Sequence, residues 1–247
     1  MPEPKFSTPS FSTPTFLSTT SLTNILSTKK LDNQVEKVVP KLKQLYNNAG
    51  FVDASFQATM KAVGWGDGQA WCAYYVKLVY MQLYSFDREW LSKNIGGGAV
   101  DNLNIVANLN KKGDKRYIAI TKNEKPQVGD VFCQGVSGKG HTGIVVEVLG
   151  ESGNGWSCKT IEGNTSEAGV REGYRTLYLT RTLQVGVAPK GSSKVLQGYW
   201  RRNFTEQELA DITYDESQGT YVKKGATIVN PKGWETNPLN PMSSLQK

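Results

Sequence analysis

Histidine is almost absent from this 247-residue sequence, which has one, and cysteine is scarce, at three. Three thiols (Cys72, Cys133 and Cys158) cannot all pair within one chain, so no disulfide framework is indicated. A reducing compartment or a working free thiol fits that count better. A Cys₃His zinc site would need all three thiols and His141, yet no C-x-x-C spacing is present, and Cys72 reads as helical while Cys133 and Cys158 fall in apolar strands. No metal or cofactor is therefore expected, and Cys133 and Cys158 read as buried, inert residues. No apolar run approaches the roughly 18 residues of a membrane span. The opening MPEPKF lacks the charged-then-apolar order of an export signal, so action outside the compartment of synthesis would need another route. No Arg/Lys-rich block marks a nucleic-acid reader, although the net charge is +7. That charge favours anionic partners such as bacterial wall polymers, or is simply a solvated basic surface.

The sequence divides into three parts. Residues 1–30 repeat an F-S-T-P unit in FSTPSFSTPTFLSTT and are too poor in apolar surface to repay ordering on their own. They read as a disordered tail or as a docking peptide with phenylalanine anchors. Residues 31–203 read as one domain. An apolar stripe of Val35, Val38, Val39, Leu42, Leu45 and Tyr46 predicts a helix that Pro40 kinks or restarts. A short helix is expected over 53–62 with Asp53 as its cap, and another over 98–110. Between them, Cys72, Tyr75, Val76, Val79 and Leu83 share one face of a helix starting near Ala70. After residue 126 the period falls to two, and QVGDVFCQG, HTGIVVEVLG, GWSCKTIEGN, GYRTLYLTRT and LQGYWRRN read as strands. Helices followed by strands predict an α+β fold, with N-terminal helices packed on an antiparallel sheet. Residues 204–247 change character and form a C-terminal extension: TEQE at 205–208 resembles a capping box that opens a short helix, and NPKGWETNPLNPMSSLQK (230–247) is rich in Pro, Asn and Ser and reads as an irregular tail.

The chemistry gathers around Cys72. A cysteine in the first turn of a helix meets unpaired N–H groups and the positive dipole end, both of which favour a thiolate. Its own N–H is an oxyanion donor at the same place. Buried packing is the competing reading of this position. His141 opens a strand, and by alternation shares a face with Gly143, whose bare backbone would let a helix approach. A thiol nucleophile needs such a base. Glu162 and Asn164 lie two apart in TIEGNTS and would point the same way on an extended strand, so either could fix the imidazole.

WCA at a helix start, GD before a strand, GHTGIV and IEGNT, in that order, resemble the CHAP domain, the cysteine- and histidine-dependent amidohydrolases/peptidases. The resemblance covers about residues 35–203 and implies a papain-like core, related in architecture to NlpC/P60 enzymes. It implies Cys72 as nucleophile and His141 as base, with Glu162 or Asn164 orienting, and Gly129 and Asp130 as the turn that starts the first core strand. Many such domains carry Gln directly before the cysteine. Here Trp71 stands there, and Gln69, three residues before Cys72, is the candidate side-chain oxyanion donor. Trp65 and Trp71 flank the thiol and are candidates for groove walls. The implied activity is peptidoglycan hydrolysis, by an N-acetylmuramoyl-L-alanine amidase or a peptide endopeptidase. A phage lysis enzyme or a virion-associated protein fits, attached through residues 1–30 or 204–247 to phage structural proteins. The alternatives are an inactive attachment module on the same fold and a transamidase.

Overall fold

The computed structural model describes residues 50–51, 53–165, 175–215 and 217–228. The Phe-rich segment, the stripe that begins at Leu31 and the chain from 229 onward lie outside these residues. Among the described residues, four α-helices precede the sheet: α1 (Ala54–Ala62), α2 (Cys72–Leu83), α3 (Arg88–Asn94) and α4 (Ala99–Lys111). Asp53 caps α1, its carboxylate accepting the Phe56 N–H at 2.8 Å, as the sequence predicts. Six strands follow: β1 (Tyr117–Ile120), β2 (Val131–Gln134), β3 (His141–Ser152), β4 (Gly155–Thr165), β5 (Arg175–Leu183) and β6 (Leu196–Arg202). They form one antiparallel sheet in the order β1-β6-β2-β3-β4-β5. The α+β architecture is therefore the one expected.

The sheet carries an apolar layer on each face. Val131, Cys133, Ile144, Val146 and Ile161 join Trp71, Tyr75, Val76 and Val79 of the helical layer in one core. Phe132, Val145, Cys158, Leu183 and Tyr199, which alternate with them, form a second core on the other face. The Gly129–Asp130 turn leads into β2. The Tyr80 hydroxyl donates to the Gly129 carbonyl, and the Asp130 carboxylate is held by Arg201 of β6 at 3.0 and 2.9 Å.

Helix α2 differs from its sequence pattern. One buried face was expected, but every residue except Tyr74 is buried. Even Lys77 and Gln82 are covered: the Lys77 ammonium donates to the Ser92 carbonyl at 3.2 Å, and the Gln82 amide donates to the Gln218 carbonyl at 3.4 Å. The cover comes from α3 and from residues 204–228, part of the stretch read as a C-terminal extension. Here they fold as α5 (Glu206–Ala210) and a hairpin of β7 (Ile212–Asp215) and β8 (Thr220–Lys223). The capping box at Thr205 and Glu208 is present. Ser85, just past α2, donates through its hydroxyl to the Tyr221 carbonyl at 2.9 Å, and Tyr221 stacks on Tyr84. This stretch belongs to the body of the domain, because it seals a helix whose polar residues would otherwise meet water.

Gly163 lets α2 approach the sheet. A Cβ added there would fall 2.5 Å from Trp71 Cζ3 and 2.8 Å from Tyr75 Cβ. Both neighbours are 0 % exposed and have nowhere to retreat. Gly163→Ala is therefore expected to destabilise the fold by about 1–3 kcal/mol, as overpacking does. Thermal and urea unfolding measure it, and an unchanged midpoint would contradict the packing described.

Candidate active site

Cys72 is the first residue of α2 and is buried. Trp71 precedes it as N-cap and makes no side-chain bond to the helix, so the first-turn amides, that of Cys72 included, lack a side-chain cap. The thiol lies close enough to His141 to act on the titration of its imidazole. His141 opens β3, opposite Gln134 of β2. Its Nε2 lies 2.8 Å from Glu162 Oε2, which leaves Nδ1 for the sulfur.

Glu162 has no exposed surface. Its Oε1 accepts from the Thr160 hydroxyl at 2.6 Å and from Arg181 Nε, and its Oε2 accepts from Arg181 Nη2 at 2.7 Å. Burial alone would raise this carboxyl, but the bonds from His141 and Arg181 reverse that and hold it at about 2. Burial pulls His141 down, yet its bonds to Cys72 and Glu162 outweigh burial and lift it to about 9. An imidazolium beside a carboxylate is thus the resting arrangement at neutral pH.

Asn164 makes no hydrogen bond to the imidazole. Its φ is +59°, in the left-handed region, and β4 bulges between Glu162 and Thr165. The alternation that would have aimed Asn164 the same way as Glu162 is broken there. Its Oδ1 is buried and has no hydrogen-bond partner among the described residues. Gly143 also differs from expectation. The space over it is filled by Glu162 and Phe132: a Cβ there would fall 2.5 Å from Glu162 Cγ and 2.8 Å from Phe132 Cε1. The glycine that admits the helix is Gly163.

Trp65 and Trp71 are 2 % and 0 % exposed. They pack around Phe51 with ring centroids at 5.1 Å each, and so form core behind the thiol rather than groove walls. The Trp65 indole donates to the Gln69 carbonyl at 2.9 Å, which fixes the loop leading into α2. Gln69 is exposed, and its Oε1 accepts the Gly66 N–H at 3.1 Å, so its amide nitrogen is the free end of the side chain. Cys133 and Cys158 are buried, free thiols, each pushed up by burial to about 12. Among the described residues, no group of three or more His, Cys, Asp or Glu side chains is placed to hold a metal ion, and no helix is long and apolar enough to cross a membrane. Sequence reasoning missed Arg181 and Thr160, since a single Arg and Thr in a strand carry no motif.

Compared with known families, residues 64–164 match the CHAP domain model. Neither the comparison with curated proteins nor that with solved structures gives a match.

The two shifted groups set opposite limits on stability. Glu162 lies below its ordinary 4.5, so its contribution is complete above that pH and is lost as pH falls toward about 2. His141 lies above its ordinary 6.5, so its contribution is complete below that pH and is lost as pH rises through about 9. Denaturant unfolding should therefore weaken on both sides of a plateau between roughly 4.5 and 6.5. The single imidazole should titrate by NMR near 9 in the wild type and distinctly lower in Cys72→Ala. A wild-type midpoint near 6.5, the ordinary value, would contradict the geometry.

Proposed function

We infer that this chain, which carries a CHAP domain at residues 64–164, is a cysteine amidohydrolase or peptidase acting on peptidoglycan. The observation that supports this reading is the hydrogen bond between His141 Nε2 and the buried Glu162 carboxylate, with the Cys72 thiol near enough to His141 to act on its titration. The basic net charge of +7 suits an anionic wall, and that attraction weakens with added salt.

The proposed reaction has two halves. The Cys72 thiolate, with the imidazolium beside it, attacks an amide carbonyl carbon and forms a C–S bond. The oxyanion is met by the Cys72 N–H, and Gln69 Nε2 is the candidate second donor. His141 gives its proton to the leaving amine as the C–N bond breaks. Water then attacks the thioester and gives a proton to His141. The C–S bond breaks, releasing the acid and restoring the thiolate. Glu162 holds the ring with Nδ1 toward sulfur and balances the imidazolium. No step uses a metal.

The finer reading is an N-acetylmuramoyl-L-alanine amidase or a peptide endopeptidase of a phage, free or carried by the virion. Deleting residues 1–30 separates those two forms: a free lysis enzyme keeps its activity, whereas a virion component loses incorporation.

Purified protein should solubilise cell walls, and mass spectrometry of the fragments would name the bond cut. Cys72→Ala should abolish release with the fold intact. Glu162→Gln should lower kcat by about 10²–10⁴-fold. Asn164→Ala, which removes no hydrogen bond to the imidazole, should cost much less. Full activity in Cys72→Ala would sink the mechanism. A larger loss in Asn164→Ala than in Glu162→Gln would reassign the orienting group.

A further inference from the structure

We propose that Arg181 is a positioning residue for the site: its guanidinium grips both oxygens of Glu162, keeping that carboxylate ionised and fixed against His141. The proposal rests on the reading of Cys72 and His141 as nucleophile and base.

Glu162 is 0 % exposed, and water therefore contributes nothing to holding its charge. Its donors are Thr160 from its own strand, His141 from β3 and Arg181 from β5. Thr160 is neutral, and His141 gives up its proton during the reaction. Arg181 is the donor whose charge persists throughout the cycle. It is itself only 8 % exposed, and its fork engages Oε1 through Nε and Oε2 through Nη2, a two-point grip that sets the carboxylate plane as well as its charge. The guanidinium also lies over Phe132, 5.6 Å from the ring centroid, and the same ring flanks His141. Phe132 thus closes the line from above Gly143.

The charges then alternate. When the thiolate–imidazolium pair forms, Cys72, His141, Glu162 and Arg181 carry −, +, − and +, which sum to zero in a poorly solvated site. Without Arg181 the line would hold a net negative charge, and Glu162 would compete with His141 for the proton. The charged groups facing Glu162 among the described residues are His141 and Arg181. From β2 comes Phe132, which is uncharged, and α2 reaches the site through Cys72 by way of His141.

The test compares the wild type with Arg181→Lys and Arg181→Met by three measurements: kcat/KM against pH on solubilised wall, NMR titration of the single imidazole, and thermal unfolding. The expected result is an acid limb moved up by about one pH unit or more in Arg181→Met, the size of an Arg⁺ effect on a neighbouring carboxyl. Arg181→Lys keeps the charge but not the fork, and should move the limb less. The His141 resonances should sense a Glu162 step displaced in the same direction. A structural role alone would lower the melting temperature and leave the pH profile in place. A profile and an imidazole titration that superimpose on the wild type in Arg181→Lys overturn the proposal; the same result in Arg181→Met also overturns it. If Arg181→Met does not fold, Arg181→Lys decides. Absence of hydrolysis in the wild type would defeat the catalytic reading instead, and the imidazole titration would still decide whether Arg181 holds Glu162 ionised.

Discussion

A carboxylate with no contact with water is the constraint around which this domain is arranged. Glu162 keeps its charge only because its two oxygens together receive donors from three strands, and those donors must arrive together. That requirement accounts for several features that look unrelated one at a time. Gly143 is bare because Glu162 Cγ occupies the space a side chain would need. β4 must run regularly through Thr160 and Glu162, and it bulges only after them. β5 must lie beside β4 in the register that sets Arg181 opposite Cys158, diagonal to Thr160 and within reach of Glu162. Loss of any one strand's alignment would leave the carboxylate either protonated or unsupported, and the imidazole without a fixed tautomer.

The helical side answers to a second close approach. Consecutive residues of β4 serve opposite faces: Glu162 turns to the imidazole, while Gly163 lies under Trp71 and Tyr75. The thiol is carried by the residue after Trp71, so the depth at which that indole seats on Gly163 sets the height of the sulfur relative to His141. Two adjacent residues of one strand therefore place both halves of the site. The aromatic packing of Phe51, Trp65 and Trp71 stiffens the approach to α2, and the Trp65 indole ties down the loop that carries Gln69. Burial of such large side chains contributes about 1.5–3 kcal/mol each. The site is thus braced by the core itself.

Much of this was legible in the sequence, for physical reasons that differ by element. The start of α2, the Asp53 cap and the capping box at Thr205 are local signals, and local chemistry determines them. The long strands β3 and β4 carry enough alternation to be read directly. Strand β1 has four residues and takes its identity from pairing with β6, so no local period reveals it. The burial of Gln82 is equally invisible, because it depends on a hairpin more than a hundred residues later. At the site, the spacing of Glu162 and Asn164 left two orienting groups open. The left-handed turn at Asn164, a backbone property that alternation does not foresee, breaks the alternation between them. Arg181 lay out of reach of sequence reasoning because its significance is entirely tertiary.

The three thiols show how little the residue type decides. Cys133 and Cys158 sit in strand interiors, where each is surrounded by apolar groups and pushed up to about 12 by burial. Neither has an imidazole partner, so each behaves as a small hydrophobe. Cys72 is buried to a similar degree, 4 % against 0 % for the other two, so exposure does not separate them. What separates them is the direction of the surrounding dipoles. Cys72 is the first residue of a helix without a side-chain cap and has His141 as a neighbour, whereas the other two lie within strands. Cys133 lies close enough to feel a charge on Cys72, and that influence raises it further. The helix end, the imidazole and the carboxylate behind it are thus gathered around one sulfur of the three.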